Sequence, residues 1–219
     1  MATFALIHGA GDVGWYWHLV EAELRLHGHE SVAPDLPCDD DSAGLPEYAD
    51  VVAEAVGAAN DVVVVAQSFG GFTAPLVADR VSARGLVLLA GMIPAPGESP
   101  DDWVRNTGFD QVLRQQGPHD AFYHAFYHDV PRDLAERARG MARVQSATPG
   151  RDPWPLSAWP DVATRFILCT EDRFFPAGFM RHVVAQRLAI TPDEISAGHC
   201  AALSRPTELA HLLLESVPA

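Results

Sequence analysis

Apolar residues along this chain come in two spacings. Short continuous runs bounded by Gly, Pro, Asp or Asn read as strands, at Thr3 to Ile7, Ser31 to Ala33, Asp61 to Ala66, Gly85 to Ala90, Arg165 to Cys169 and Glu194 to Ser196. Between them the spacing becomes helical, over Trp15 to His27, Pro46 to Ala59, Phe69 to Arg80, Gly178 to Leu188 and Thr207 to Ser216. Gly28 follows the first of these helices, and Ser204, Pro206 and Glu208 stand at the start of the last. The run "DVVVVAQ" is apolar at successive positions, so both faces of its strand need cover. Alternation of strand and helix then predicts an α/β fold, a mainly parallel sheet flanked by helices.

One stretch breaks the alternation. From Met92 to Asp161 no strand signal appears, prolines open and close the segment, and its middle, "HDAFYHAFYHDVPRDLAERARGMARV", suits helices. A structureless loop of that length is uncommon in a compact domain, so residues 92–161 are expected to form a helical lid or cap before the last two strands. It belongs to a single domain spanning 1–219.

Composition narrows the function classes. With 219 residues, 48% of them apolar, the chain can bury a sizeable core. A net charge of −14 disfavours nucleic acid and anionic membrane surfaces as partners. Asp39, Asp40 and Asp41 invite a cation, but no regular ligand spacing surrounds them and a solvated surface explains them better. Cys38, Cys169 and Cys200 are too few and too scattered for a disulfide framework or a metal knuckle, which fits reduced thiols in a cytoplasmic protein. The N-terminus lacks a basic n-region, and no segment is long enough to span a bilayer.

The valine run ends on "AQSFG", Ala66 to Gly70, which fits the pattern small-x-Ser-x-small of a nucleophile elbow. Small residues are required because the serine sits on a strained strand-to-helix turn, and its hydroxyl projects above the sheet. The plainer reading makes Ser68 a helix cap. A serine nucleophile needs a histidine held by a carboxylate, and the elbow's topology orders them serine, acid, histidine along the chain. "TRFILCTEDRFFP" supplies a strand ending at Glu171 and Asp172, between which chemistry alone does not choose. "DEISAGHCAAL" supplies a strand followed by a loop with His199. Acyl transfer also needs two oxyanion donors. These are the N–H of Phe69, after the serine, and that of Ala10 in the loop "LIHGAG", where Gly9 and Gly11 permit close approach.

Together these motifs resemble the α/β-hydrolase superfamily, in particular its branch of plant methylesterases and hydroxynitrile lyases with their small bacterial relatives. "FALIHGAGDVGWYWHLV", "HGHESVAPDLP", "VVVVAQSFGGF", "LVLLAGMIP", "FILCTEDRFFP" and "AGHCAALSRPTELAHLL" follow that family's order. The resemblance implies a six-stranded sheet, with Ser68 as nucleophile, Asp172 as acid, His199 as base, and Ala10 and Phe69 as oxyanion donors. It implies no cofactor and no metal. Ala66 and Gln67 replace the more usual Gly-His before the serine, and Asp12 stands where the plant enzymes carry a second histidine. In the lyases a threonine occupies the position of Gly9 and a lysine that of Cys200.

The expected activity is therefore that of a serine carboxylesterase acting on a small-molecule ester through an acyl-enzyme. Lyase-like chemistry on the same residues and a slow-turnover receptor are the alternatives. Cys200 reads as a packing residue. Phe122 with Phe126, and His124 with His128, are spaced to share helix faces. The aromatic pair is expected in the lid core. Without the glutamate of a His-Glu-x-x-His motif, the histidines read as helix surface.

Overall fold

The computed structural model describes residues 1–116 and 121–216. β1 (Thr3–Ile7), β2 (Glu30–Val32), β3 (Val62–Gln67), β4 (Gly85–Leu89), β5 (Ala163–Cys169) and β6 (Asp193–Ile195) form one sheet in the order β2-β1-β3-β4-β5-β6. Every pairing is parallel, and every strand lies within two residues of its expected bounds. All residues of β1, β3 and β4 are buried, whereas the edge strands β2 and β6 are short and partly exposed.

The described helices are α1 (His18–Leu26), α2 (Leu45–Val56), α3 (Ala74–Arg80), α4 (Pro100–Asn106), α5 (Phe109–Gln116), α6 (Ala121–Phe126), α7 (Arg132–Met141), α8 (Thr148–Arg151), α9 (Ala177–Leu188), α10 (Ala201–Ser204) and α11 (Pro206–Leu214). The valine run shows why β3 needs cover on both sides. Val62, Val64 and Ala66 join a core with Val52 of α2, Val77 of α3 and Val183 of α9. Val63 and Val65 join a separate core with Val20 of α1 and Leu209 and Leu213 of α11. Alternate residues of one strand thus glue two helical layers to one sheet, each buried valine contributing about 1.5–3 kcal/mol relative to exposure.

Helix boundaries differ from the sequence pattern most at three places, and the helix expected over Pro46 to Ala59 also stops early, at Val56. The helix expected from Trp15 begins as a 3₁₀ turn, Gly14–Trp17. Its Gly14 lies so close to Ala33 that a Cβ would sit 1.9 Å from the Ala33 carbonyl oxygen. The helix expected from Phe69 to Arg80 splits into a 3₁₀ turn, Ser68–Phe72, and α3. A continuous helix would require an N–H from Pro75, which has none. Ser204 ends α10 instead of opening the last helix; Arg205, at φ −138°, breaks the chain direction and Pro206 starts α11.

Helices α4 to α8 fill the long connection between β4 and β5. Its two ends are tied together where Gly97 N–H donates to the Trp154 carbonyl (3.1 Å) and Trp154 N–H to that of Glu98 (3.0 Å). The buried Glu98 carboxylate accepts both terminal nitrogens of Arg187 on α9, at 2.8 and 2.9 Å. Among the described residues no helix is long and apolar enough to cross a membrane.

Candidate active site

At the carboxyl end of β3 the backbone turns through Ser68, whose φ is +52°. That left-handed conformation costs a non-glycine residue on the order of 1–3 kcal/mol and persists only where the surroundings enforce it. Here Met92 N–H donates to the Ser68 carbonyl at 2.9 Å. A Cβ at Gly70 would lie 2.8 Å from the His8 carbonyl oxygen, and one at Gly71 only 2.0 Å from that of Met92. The turn therefore demands two consecutive glycines, one more than the elbow pattern specifies. Ser68 is not the cap, because it is the first residue of the 3₁₀ turn and the N-cap position, without a side-chain cap bond, is Gln67. Ser68 Oγ has no hydrogen bond among the described residues, as is common in unliganded sites.

His199 and Asp172 lie in the loops after β6 and β5. Their contact is short and buried: His199 Nδ1–H donates to Asp172 Oδ2 at 2.7 Å. The second oxygen, Oδ1, accepts the N–H groups of Phe174 (2.8 Å) and Phe175 (2.9 Å). Three donors thus fix the carboxylate, and on the other side of the imidazole Nε2 has no hydrogen-bond partner among the described residues. Phe126, Phe174 and Phe175 meet the imidazole edge-on, with ring centroids 5.2, 5.2 and 5.3 Å away. Glu171, the competing acid, is exposed and accepts from the Ser196 hydroxyl. Side-chain direction separates two acids that chemistry alone left equivalent.

The loop after β1 is held by a residue that pattern reading passed over. His8 is buried; its Nδ1–H donates to the Gly9 carbonyl (2.8 Å), and its Nε2 accepts the N–H of Leu36 (3.0 Å). One donor and one acceptor make this a neutral imidazole, and burial lowers its pKa to about 4. Gly11, at φ +64°, donates its N–H to Gln145 Oε1 (3.0 Å). Its carbonyl accepts from Arg143 N–H (2.7 Å). The Ala10 N–H between them has no partner among the described residues. Ala10, Ser68 and Phe69 all line one cavity of about 190 Å³, whose far wall is Trp103, Phe109, Phe174 and Phe175.

Gln67 donates its amide Nε2–H to the His199 carbonyl at 3.3 Å, a link across the site that the sequence marks only as a substitution. Asp12 is partly buried, which raises its carboxyl to about 6, and Oδ1 accepts Val13 N–H at 2.8 Å. Cys200 is buried, and desolvation pushes its thiol well up, as suits a packing residue. All three cysteines are free. Asp40 accepts from the Ser42 N–H and hydroxyl, bracing its own loop, and Asp41 accepts from the Ser146 hydroxyl, tying that loop to the segment before α8. Among the described residues no group of three or more His, Cys, Asp or Glu could hold a metal ion. His128 lies beyond α6 and not on a shared helix face with His124; its Nε2–H donates to the Glu171 carbonyl at 3.0 Å. Phe126 packs on Phe174, 4.5 Å between centroids. The side chain of Phe122 falls outside the described residues.

Comparison with known proteins places this geometry. The model of the alpha/beta hydrolase family matches residues 4–212. Methylesterase 7 of Arabidopsis thaliana is 26% identical over 247 residues, covering 97% of this chain and 95% of its own. Norfluorocurarine synthase 1 of a Strychnos species is 23% identical, covering 97% and 94%. The crystal structure of polyneuridine aldehyde esterase superposes with a TM-score of 0.81 at 21% identity, covering 98% of each chain, a likeness of fold. The parallel sheet, the serine turn at the end of β3 and a family match over nearly the whole length agree: the chain belongs to the α/β-hydrolase family.

Proposed function

We propose that the protein is a serine carboxylesterase that cleaves a small-molecule ester through an acyl-enzyme. In this reading His199 Nε2 takes the proton of Ser68 Oγ as the oxygen attacks the ester carbonyl carbon. The N–H groups of Ala10 and Phe69 hold the oxyanion, and Asp172 orients the imidazole and stabilises its charged form. Collapse of the tetrahedral species breaks the ester C–O bond, and the alcohol leaves with the proton from His199. Water, deprotonated by the same nitrogen, then releases the acid and restores the serine.

The observation that carries this reading is the strained φ of +52° at Ser68 on the wall of a cavity that Ala10 and Phe69 also line. Strain of that kind clusters at active sites, and of the described non-glycine residues with positive φ in this chain Ser68 is the one that lines this cavity. The similarity to Methylesterase 7 supports the choice of esters. A cavity of about 190 Å³ with an aromatic wall suits one aryl-sized or short acyl group, since an apolar cavity of ~150 Å³ holds benzene. Residues 92–161 act as a cap within the single domain, and Trp103 of α4 and Phe109 of α5 give it a direct hand in selecting substrate.

The test is Ser68→Ala with p-nitrophenyl acetate as substrate. Turnover should fall at least about a thousandfold, with the fold intact by circular dichroism, and a fluorophosphonate probe should label the wild-type protein at Ser68 alone. Turnover at the wild-type rate in Ser68→Ala overturns the proposal.

A further inference from the structure

The geometry points to His128 and Asp129, consecutive residues of the cap, as positioning residues that hold the loops of Asp172 and His199 in register. The inference rests on the esterase reading above. Asp129 Oδ2 accepts the N–H of Gly198 at 2.7 Å, and Gly198 immediately precedes His199. His128 Nε2–H donates to the carbonyl of Glu171 at 3.0 Å, and Glu171 immediately precedes Asp172. Two adjacent side chains thus grip the two loops at the same position relative to each reacting partner.

Gly198 locks the arrangement. A Cβ there would lie 2.5 Å from Asp129 Oδ1 and 2.7 Å from His128 Nε2, so only glycine admits both side chains. Asp129 Oδ1 is itself buried and has no hydrogen-bond partner among the described residues. A carboxylate oxygen left unsatisfied is a poor choice for stability alone, and its partner Oδ2 is spent on the N–H of the residue directly before His199. The loops also pair directly, through Thr170 N–H to the Ile195 carbonyl (2.9 Å) and Glu171 N–H to that of Ala197 (3.0 Å). Those bonds fix the loops up to residues 171 and 197; the cap takes over where they stop. A displacement of about 1 Å at a reacting group can lower the rate on the order of a hundredfold, so this second support bears on turnover more than on binding.

Asp129→Ala should lower kcat on the order of ten- to a hundredfold with KM within about twofold. Weakening the His199–Asp172 contact destabilises the imidazolium, so the acid limb of the kcat/KM profile should move to lower pH. The low-field proton resonance of His199 Nδ1–H should broaden or vanish. Asp129→Asn keeps an acceptor oxygen for Gly198 N–H and should restore kcat, the pH profile and the resonance. His128→Ala and His128→Gln should behave as the corresponding pair at the other loop, and they decide the matter if Asp129→Ala does not fold. Wild-type kcat, pH profile and resonance in both alanine variants overturn the proposal, as does a loss that tracks melting temperature and is not rescued by Asn or Gln. If Ser68→Ala retains activity, the esterase reading fails instead; the proton resonance still reports the clamp.

Discussion

Replacing Asp12 by Asn should expose an acid lability that the wild-type chain conceals. Two groups at the loop after β1 titrate in the same pH window with opposite effect. Burial lowers His8 from 6.5 to about 4, so the unfolded chain takes up a proton that the folded chain refuses. The stability it contributes is full above pH 6.5 and is lost as pH falls toward 4, an amount of about 3 kcal/mol. Burial raises Asp12 from 3.8 to about 6, so here the folded chain binds the proton more tightly. Its stability contribution is full below pH 3.8 and lost as pH rises through 6; allowing for the partial exposure of the carboxylate, the amount is about 2 kcal/mol. Between pH 7 and 4 the wild type therefore loses only about 1 kcal/mol from this pair. Asn does not titrate and still accepts the Val13 N–H. Asp12→Asn should be about 2 kcal/mol more stable than wild type at pH 7 and about equal to it at pH 4. Urea unfolding at pH 7, 5.5 and 4, followed by tryptophan fluorescence, reads this as a midpoint shift of about 1 M at pH 7 with unchanged slope. A difference between the two proteins that stays constant across the three pH values would refute the reasoning.

Two further substitutions probe the frame around the site. Gly71→Ala places a Cβ 2.0 Å from the Met92 carbonyl oxygen, a backbone atom that cannot step aside. It should cost about 2–3 kcal/mol and lower kcat together with melting temperature; an unchanged melting curve would show that the elbow is looser than its geometry. Glu98→Ala leaves the Arg187 guanidinium, which is mostly buried, without the carboxylate that pairs with it. A loss of about 3–5 kcal/mol is expected, and a double-mutant cycle with Arg187→Met should recover part of it. Additive losses in that cycle would count against the pair.

How far the sequence could be read depended on the range of each interaction. The central strands were legible because burial on both faces of β1, β3 and β4 forces continuous apolar runs, whereas the strand order and register came only from the folded sheet. Ser68 was legible because a strained turn demands small neighbours, a local requirement. The order of serine, acid and histidine made Asp172 and His199 candidates. Residue chemistry left Glu171 and Asp172 equal, and family resemblance favoured Asp172. The 3₁₀ turns were not legible, since close approach of Gly14 to Ala33 and of Gly71 to Met92 is set by other strands.

The roles of His8 and Gln67 were hidden for the same reason: the sequence shows a histidine and a glutamine, not the Leu36 N–H or the His199 carbonyl that each one meets. His128 was read as helix surface and Asp129 carried no signal at all, yet they bond to backbone groups 43 and 69 positions away. By itself the sequence determined the kinds of element, their order, and the residue types available to the chemistry, because propensity and periodicity act within a few turns of the chain. Only the tertiary structure decided which acid turns inward, which imidazole stays neutral, and which side chains of the cap hold the loops. Those outcomes depend on directional hydrogen bonds and burial between segments that meet only once the sheet has closed.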